Sequence, residues 1–314
     1  MERFVNRLAV AATIGMFVVL LMGAAVTNTG SGEGCGRSWP LCHGEFIPAY
    51  AFETMVEYSH RAVTGVEGIL IAGVAVGAWL RRRRRPELRA LVPLMVLTLL
   101  LQAGMGAWAV RSPQTPAVLA SHFGISLVCF ASVFLTMRVL REGDQGAALT
   151  ARPVPVFYRW LIFGALVAAT GTAYLGAYMR HAGGELACHT WPLCNGSVWP
   201  GFSGSVGPAF GHRLAALGTV LLVGVLAAWA FRFRDRRPDL AWLSGWALAF
   251  VLLQAASGGA VVLSRLALAS TLSHAALMAM LFVCLADGCR RAMPPIGEAV
   301  LPRRGALAPA PVAR

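Results

Sequence analysis

Glu57-Tyr58-Ser59-His60-Arg61 places a histidine at the start of a long apolar run, directly after a polar loop. The pattern returns 152 residues later as Phe210-Gly211-His212-Arg213. Each His-Arg has a second histidine 62 residues downstream, in Ser121-His122 and Ser273-His274. The same offset relates Trp39-Pro40-Leu41-Cys42 to Trp191-Pro192-Leu193-Cys194, and Leu100-Leu101-Gln102-Ala103 to Leu252-Leu253-Gln254-Ala255. One unit was therefore built twice, and four of the seven histidines occupy equivalent places in it.

The 314 residues are 57% hydrophobic and only 13% charged, and the apolar runs are each about 20 residues long, enough to cross a bilayer as helices. All basic residues are arginine, and 21 of the 27 fall at alternate helix ends. These are Arg3 and Arg7, Arg81 to Arg85 with Arg89, Arg138 to Arg159, Arg232 to Arg237, and the tail from Arg290. Positive residues collect on the cytoplasmic side, so both termini are expected inside and the cysteine-bearing loops outside a cell membrane. A solvated basic face accounts for the net charge of +13, and no nucleic-acid partner is implied.

The spans read as Leu8–Thr27, His60–Leu80, Ala90–Val110, Ala117–Met137, Arg159–Met179, Phe210–Phe231, Leu240–Leu263 and Leu266–Ala286. The expected fold class is an all-α integral membrane protein whose eight transmembrane helices form two tandem four-helix bundles. An even number of spans per repeat gives both halves the same orientation, related by a pseudo-two-fold axis along the membrane normal. The halves are residues 1–150 and 151–290, and the Pro- and Ala-rich end, 291–314, reads as a disordered cytoplasmic tail.

His60, His122, His212 and His274 each fall in the first two turns of an inward-running span. A lone histidine there is most simply an interhelical hydrogen-bonding group. Four at duplicated positions point instead to two facing imidazoles per bundle, a standard grip on haem iron. Zinc fits less well because nearby carboxylates do not complete a tetrahedral set in both halves, and the absence of Cys-x-x-Cys-His excludes a c-type haem. Arg61 and Arg213 follow ligand histidines, either as rim anchors or as donors to haem propionates. Cys35 with Cys42, and Cys188 with Cys194, are expected disulfides in the outside loops, with a redox role as the weaker alternative.

The halves differ in two acids. Glu57 shares a helix face with His60 and is matched by Ala209. Glu67, about 10 Å deeper on the same helix, is matched by Thr219 and reads as a buried structural acid. An acid beside one site alone suggests that the first half does chemistry and the second carries electrons.

Taken together, Glu57-x-x-His60-Arg61, Ser121-His122, His212-Arg213, Ser273-His274 and the two Trp-Pro-Leu-Cys loops resemble the haem A synthase family, from about Leu8 to Ala286. The resemblance implies eight spans and oxidation of the C8 methyl of haem O to a formyl group, giving haem A for terminal oxidases. It implies a haem b cofactor on His212 and His274, haem O as substrate on His60 and His122, and Glu57 as the catalytic acid. The implied partners are the lipid bilayer, an electron donor or acceptor, and haem O synthase as a candidate supplier. Two cysteine pairs resemble the bacterial branch. The rivals are a quinol-oxidising b-type cytochrome, disfavoured because all four histidines lie at one level, and a haem transporter, disfavoured by almost uniformly apolar inner halves.

Overall fold

A computed structural model describes residues 2–142, 149 and 151–293, and its architecture is all-α. Eight long helices follow in order: α1 (Glu2–Asn28), α2 (Phe52–Trp79), α3 (Leu88–Arg111), α4 (Pro116–Arg141), α5 (Val156–His181), α6 (Val206–Phe231), α7 (Pro238–Leu263) and α8 (Leu268–Ala292). All eight are long and apolar enough to span a membrane. Where no water can bond to the backbone, a continuous helix is the one local structure that pairs each N–H within its own segment. The expected tail lies outside the described residues from residue 294 onward.

Each span is present, and most helices extend beyond the apolar runs at one end or both. The largest shift is at α2, which begins at Phe52 rather than His60. Residues 52–58 contain no helix breaker, so the helix continues past the apolar run that marked its beginning in the sequence. His60 therefore lies in the third turn of α2, whereas His122, His212 and His274 are each the seventh residue of α4, α6 and α8. The α8 helix runs on to Ala292 and carries Asp287, Arg290 and Arg291.

In the first half α1 packs on α2, α2 on α3, and α3 on α4, with α4 returning to α1. The second half repeats the ring with α5 to α8. The halves meet through α4 on α5, α1 on α8 and α4 on α8, around a shared buried core that includes Ala9, Ala12, Met16, Phe130, Ile162 and Phe282. Small residues let these backbones approach closely.

The arginine-rich end is more than the solvated basic face expected from sequence. Arg237 is fully buried and pairs with Asp239 at 2.9 Å. Arg290 reaches Glu142 and Asp287, both at 2.7 Å, and Arg291 also pairs with Asp287, at 3.0 Å. Glu142, just past α4, thereby ties the first half to the last helix of the second. Buried arginines are tolerated because each guanidinium has carboxylate partners, with carbonyls of Arg152 and Arg291 added at Arg237.

Candidate functional site

At the opposite end of the helices, His60 of α2 and His122 of α4 come within electrostatic reach of one another. The same holds for His212 of α6 and His274 of α8. Each imidazole faces a glycine on an adjoining helix. A Cβ on Gly23 would lie 3.4 Å from His60 Cε1, and one on Gly106 would lie 4.0 Å from His122 Cε1. The corresponding approaches are 2.8 Å from Gly176 to His212 and 3.3 Å from Gly258 to His274. Glycine at these points clears the space beside each ring, and the four recur at the repeat spacing. The sequence reading did not single them out.

The rings differ in how they are held. In the second half, His212 Nδ1–H donates to the Thr172 carbonyl at 3.1 Å. Ser257 Oγ–H donates to the Gln254 carbonyl at 2.9 Å, so the same oxygen accepts from His274 Nδ1–H at 2.8 Å. The Gln254 amide nitrogen, 3.1 Å from His274 Nε2, donates to that bare nitrogen. Both second-half imidazoles thus carry their hydrogen on Nδ1, which leaves His212 Nε2 free to bind a metal, whereas His274 Nε2 would bind one only by giving up Gln254. In the first half, Nδ1 of both His60 and His122 is buried without a partner. Met105 stands where the second half has Ser257, and Gln102 donates to the His122 carbonyl at 2.9 Å instead of to a ring.

These features fit haem in both halves. The two imidazoles of each half lie near one another, each beside a glycine that leaves room, and would hold a haem iron between them.

The cysteine loops sit above the two pairs. Cys35 is joined to Cys42 and Cys188 to Cys194, each with Cα atoms 4.6 Å apart. Arg61 Nη1 donates to the carbonyls of Ser38 (2.7 Å) and Leu41 (2.9 Å). Arg213 does the same in its own loop, to Leu193 at 3.0 Å, Cys188 at 2.7 Å and Thr190 at 2.9 Å. The structure therefore places both arginines as clamps on the cysteine loops. This loop-clamping role was not among the two alternatives read from sequence. The constant spacing from Trp-Pro-Leu-Cys to His-Arg was the available signal.

Glu57 is 4% exposed. One carboxylate oxygen accepts the Cys35 backbone N–H at 2.8 Å, and the other pairs with Arg61. It joins the helix that carries His60 to the first disulfide loop, a link that Ala209 does not make in the second half.

A family model described as cytochrome oxidase assembly protein matches residues 48–286. Curated heme A synthases of Bacillus cereus (strain 03BB102) and Bacillus anthracis (strain A0248) are each 39% identical over 290 residues, covering 91% of this chain and 92% of theirs. The chain belongs to the haem A synthase family. The matched region takes in both histidine pairs, Glu57 and the second cysteine loop, and the relatives align across the first loop as well. Within the family frame, His181 at the end of α5 is a further site neighbour, within electrostatic reach of His122 across the boundary between the halves.

Proposed function

We propose that this protein is a haem A synthase that oxidises the C8 methyl of haem O to a formyl group, supplying haem A to terminal oxidases. The observation that carries this is the pair of duplicated histidine sites at one end of an eight-span bundle in a chain 39% identical to heme A synthases. The halves are two tandem bundles in a cell membrane, related about the membrane normal, with the cysteine loops outside and both termini cytoplasmic.

His212 and His274 hold a resident haem b, and His60 and His122 hold haem O. The hydrogen bonds support this division. A permanent cofactor gains from rings locked by Thr172 and Ser257, since such outer partners are worth 10–100-fold in metal affinity. A substrate that must leave as product is better served by the unanchored imidazoles of the first half. When bound, haem b supplies one-electron redox chemistry.

The protein's own groups orient and shield the substrate. Taking a methyl to a formyl adds one oxygen atom and removes two hydrogens; with water as the oxygen source it releases four protons and four electrons, so the site needs a proton-handling group and an electron acceptor. Glu57 is the candidate proton handler, three residues from His60, with Arg61 and the Cys35 N–H fixing its carboxylate. The clamped cysteine loops cover the outer end of each site, and the helices exclude water from the sides. Haem O synthase is the natural source of the substrate.

Mass spectrometry of haems extracted from the purified protein tests this. Wild type should carry haem b together with haem O, its oxidised intermediates or haem A. His274→Ala should lose haem b and activity, while His122→Ala should keep haem b and lose haem O processing. The reverse pattern would exchange the two sites, and haem b alone in active wild-type membranes would reject the function.

A further inference from the structure

Glu67 lies two helix turns, about 10 Å, from His60 on the same face of α2, toward the arginine-rich end. It is 2% exposed, and neither carboxyl oxygen has a hydrogen-bond partner. Its surroundings make room for it. A Cβ on Gly15 of α1 would fall 2.0 Å from Glu67 Oε2, so any side chain there would collide with the carboxyl. Cys129 of α4 lies near the carboxyl, with Thr98 of α3 beside Cys129. A structural acid at this depth would be expected to have a built-in partner, because an unmatched buried polar group costs stability. None is present among the described residues.

The repeat supplies an internal comparison. Thr219 stands at the matching position in the second half and is satisfied by Ala215 O at 2.8 Å and Thr172 Oγ1 at 2.9 Å. The offset of 153 that relates Gly23 to Gly176 pairs Gly15 with Ala168, and the offset of 152 pairs Cys129 with Leu281 and Thr98 with Phe250. Among the described residues, the first half alone places an unpartnered carboxyl at this level, whereas the polar groups of the second half satisfy one another. The half with unanchored imidazoles is therefore also the half with an unanswered carboxyl below them.

We propose that Glu67 is a substrate-specificity residue whose carboxyl hydrogen-bonds the alcohol at the root of the prenyl chain of haem O. The assignment presupposes haem O in the first half. With haem O held by His60 and His122, Glu67 would meet a substituent of the macrocycle and not its iron. The group needed there must bond a carboxyl yet continue into an apolar bundle. A propionate fails because its charge would be buried there with no cation to meet it, and a vinyl fails because it has no polar atom. A secondary alcohol on an isoprenoid chain meets both demands, and it is what distinguishes haem O from haem b.

The test is competition. Full-length protein in lipid nanodiscs, freed of haem, is equilibrated with equimolar haem O and haem b, and bound haems are counted by mass spectrometry. Haem b at the second site serves as the folding control. The ratio of haem O to haem b at the first site should fall about tenfold in Glu67→Leu, the loss of one hydrogen bond to a buried partner. Glu67→Gln, which can still donate and accept, should stay close to wild type. A second arm leaves the protein unaltered: haem O with its alcohol methylated should compete about tenfold less well than haem O itself. An unchanged ratio in Glu67→Leu, or equal competition by the methylated haem, would overturn the proposal. So would an equal loss in both variants with haem b intact, since that would mark a need for acid chemistry. If instead wild type takes up no haem O, or a His60→Ala/His122→Ala variant retains it, the assignment of the first half has failed and the role of Glu67 falls with it.

Discussion

Removing the Ser257 hydroxyl should loosen the resident haem without touching the substrate half. Ser257 Oγ sits 2.8 Å from His274 Nδ1 and passes its own hydrogen to the Gln254 carbonyl, so Ser257→Ala strands an imidazole N–H between helices. An unsatisfied buried donor costs about 1–3 kcal/mol. Loss of a partner behind a metal-bound histidine costs about 10–100-fold in affinity. The two scales overlap near 1.4 kcal/mol, or about tenfold weaker haem b binding. The assay is transfer of haem b from purified protein to an excess of a soluble apo-haem acceptor. It should proceed about ten times further at equilibrium in Ser257→Ala, and Ser257→Thr should restore retention. Met105 occupies the equivalent position in the first half, so Met105→Ala should leave haem b retention unchanged. Wild-type retention in Ser257→Ala would refute the view that the hydrogen-bonded pair is the permanent site.

Gly176→Ala would set a methyl 2.8 Å from His212 Cε1; overpacking of about 1–3 kcal/mol should displace the ring and empty the haem b site, whereas Gly106→Ala, with 4.0 Å to His122, should be tolerated, as read from the haem absorption spectrum. Glu57→Gln should keep both sites occupied while haem A formation falls sharply; normal turnover in that variant would take Glu57 out of the chemistry. Non-reducing peptide mapping should recover Cys35 with Cys42 and Cys188 with Cys194, and four free thiols from oxidising membranes would contradict this. A cysteine placed at Arg83 should resist membrane-impermeant labelling from outside; labelling there would invert the topology.

Fold class, span count and the pairing of the four histidines were legible in the sequence because they are properties of periodicity. Apolar runs of bilayer length leave the backbone no alternative to helix, and a repeat offset of 152 carries each histidine to its partner without any knowledge of packing. Helix ends were less legible: residues 52–58 are polar enough to read as loop but contain nothing that stops α2 from starting early. The tertiary structure alone decided what each polar group touches. Arg61 and Arg213 look like solvent-facing cations beside a ligand, yet the fold brings loop carbonyls from about 20 residues upstream into their reach. Ser257 and Gly176 lie far from the histidines they serve in sequence, and only helix packing places them against the rings. Glu67 shows the division most directly. Its presence in one repeat alone is visible in the sequence, but its lack of any partner is not. That depends on every neighbouring helix at once, because a buried hydrogen bond is a property of two surfaces brought together by the fold.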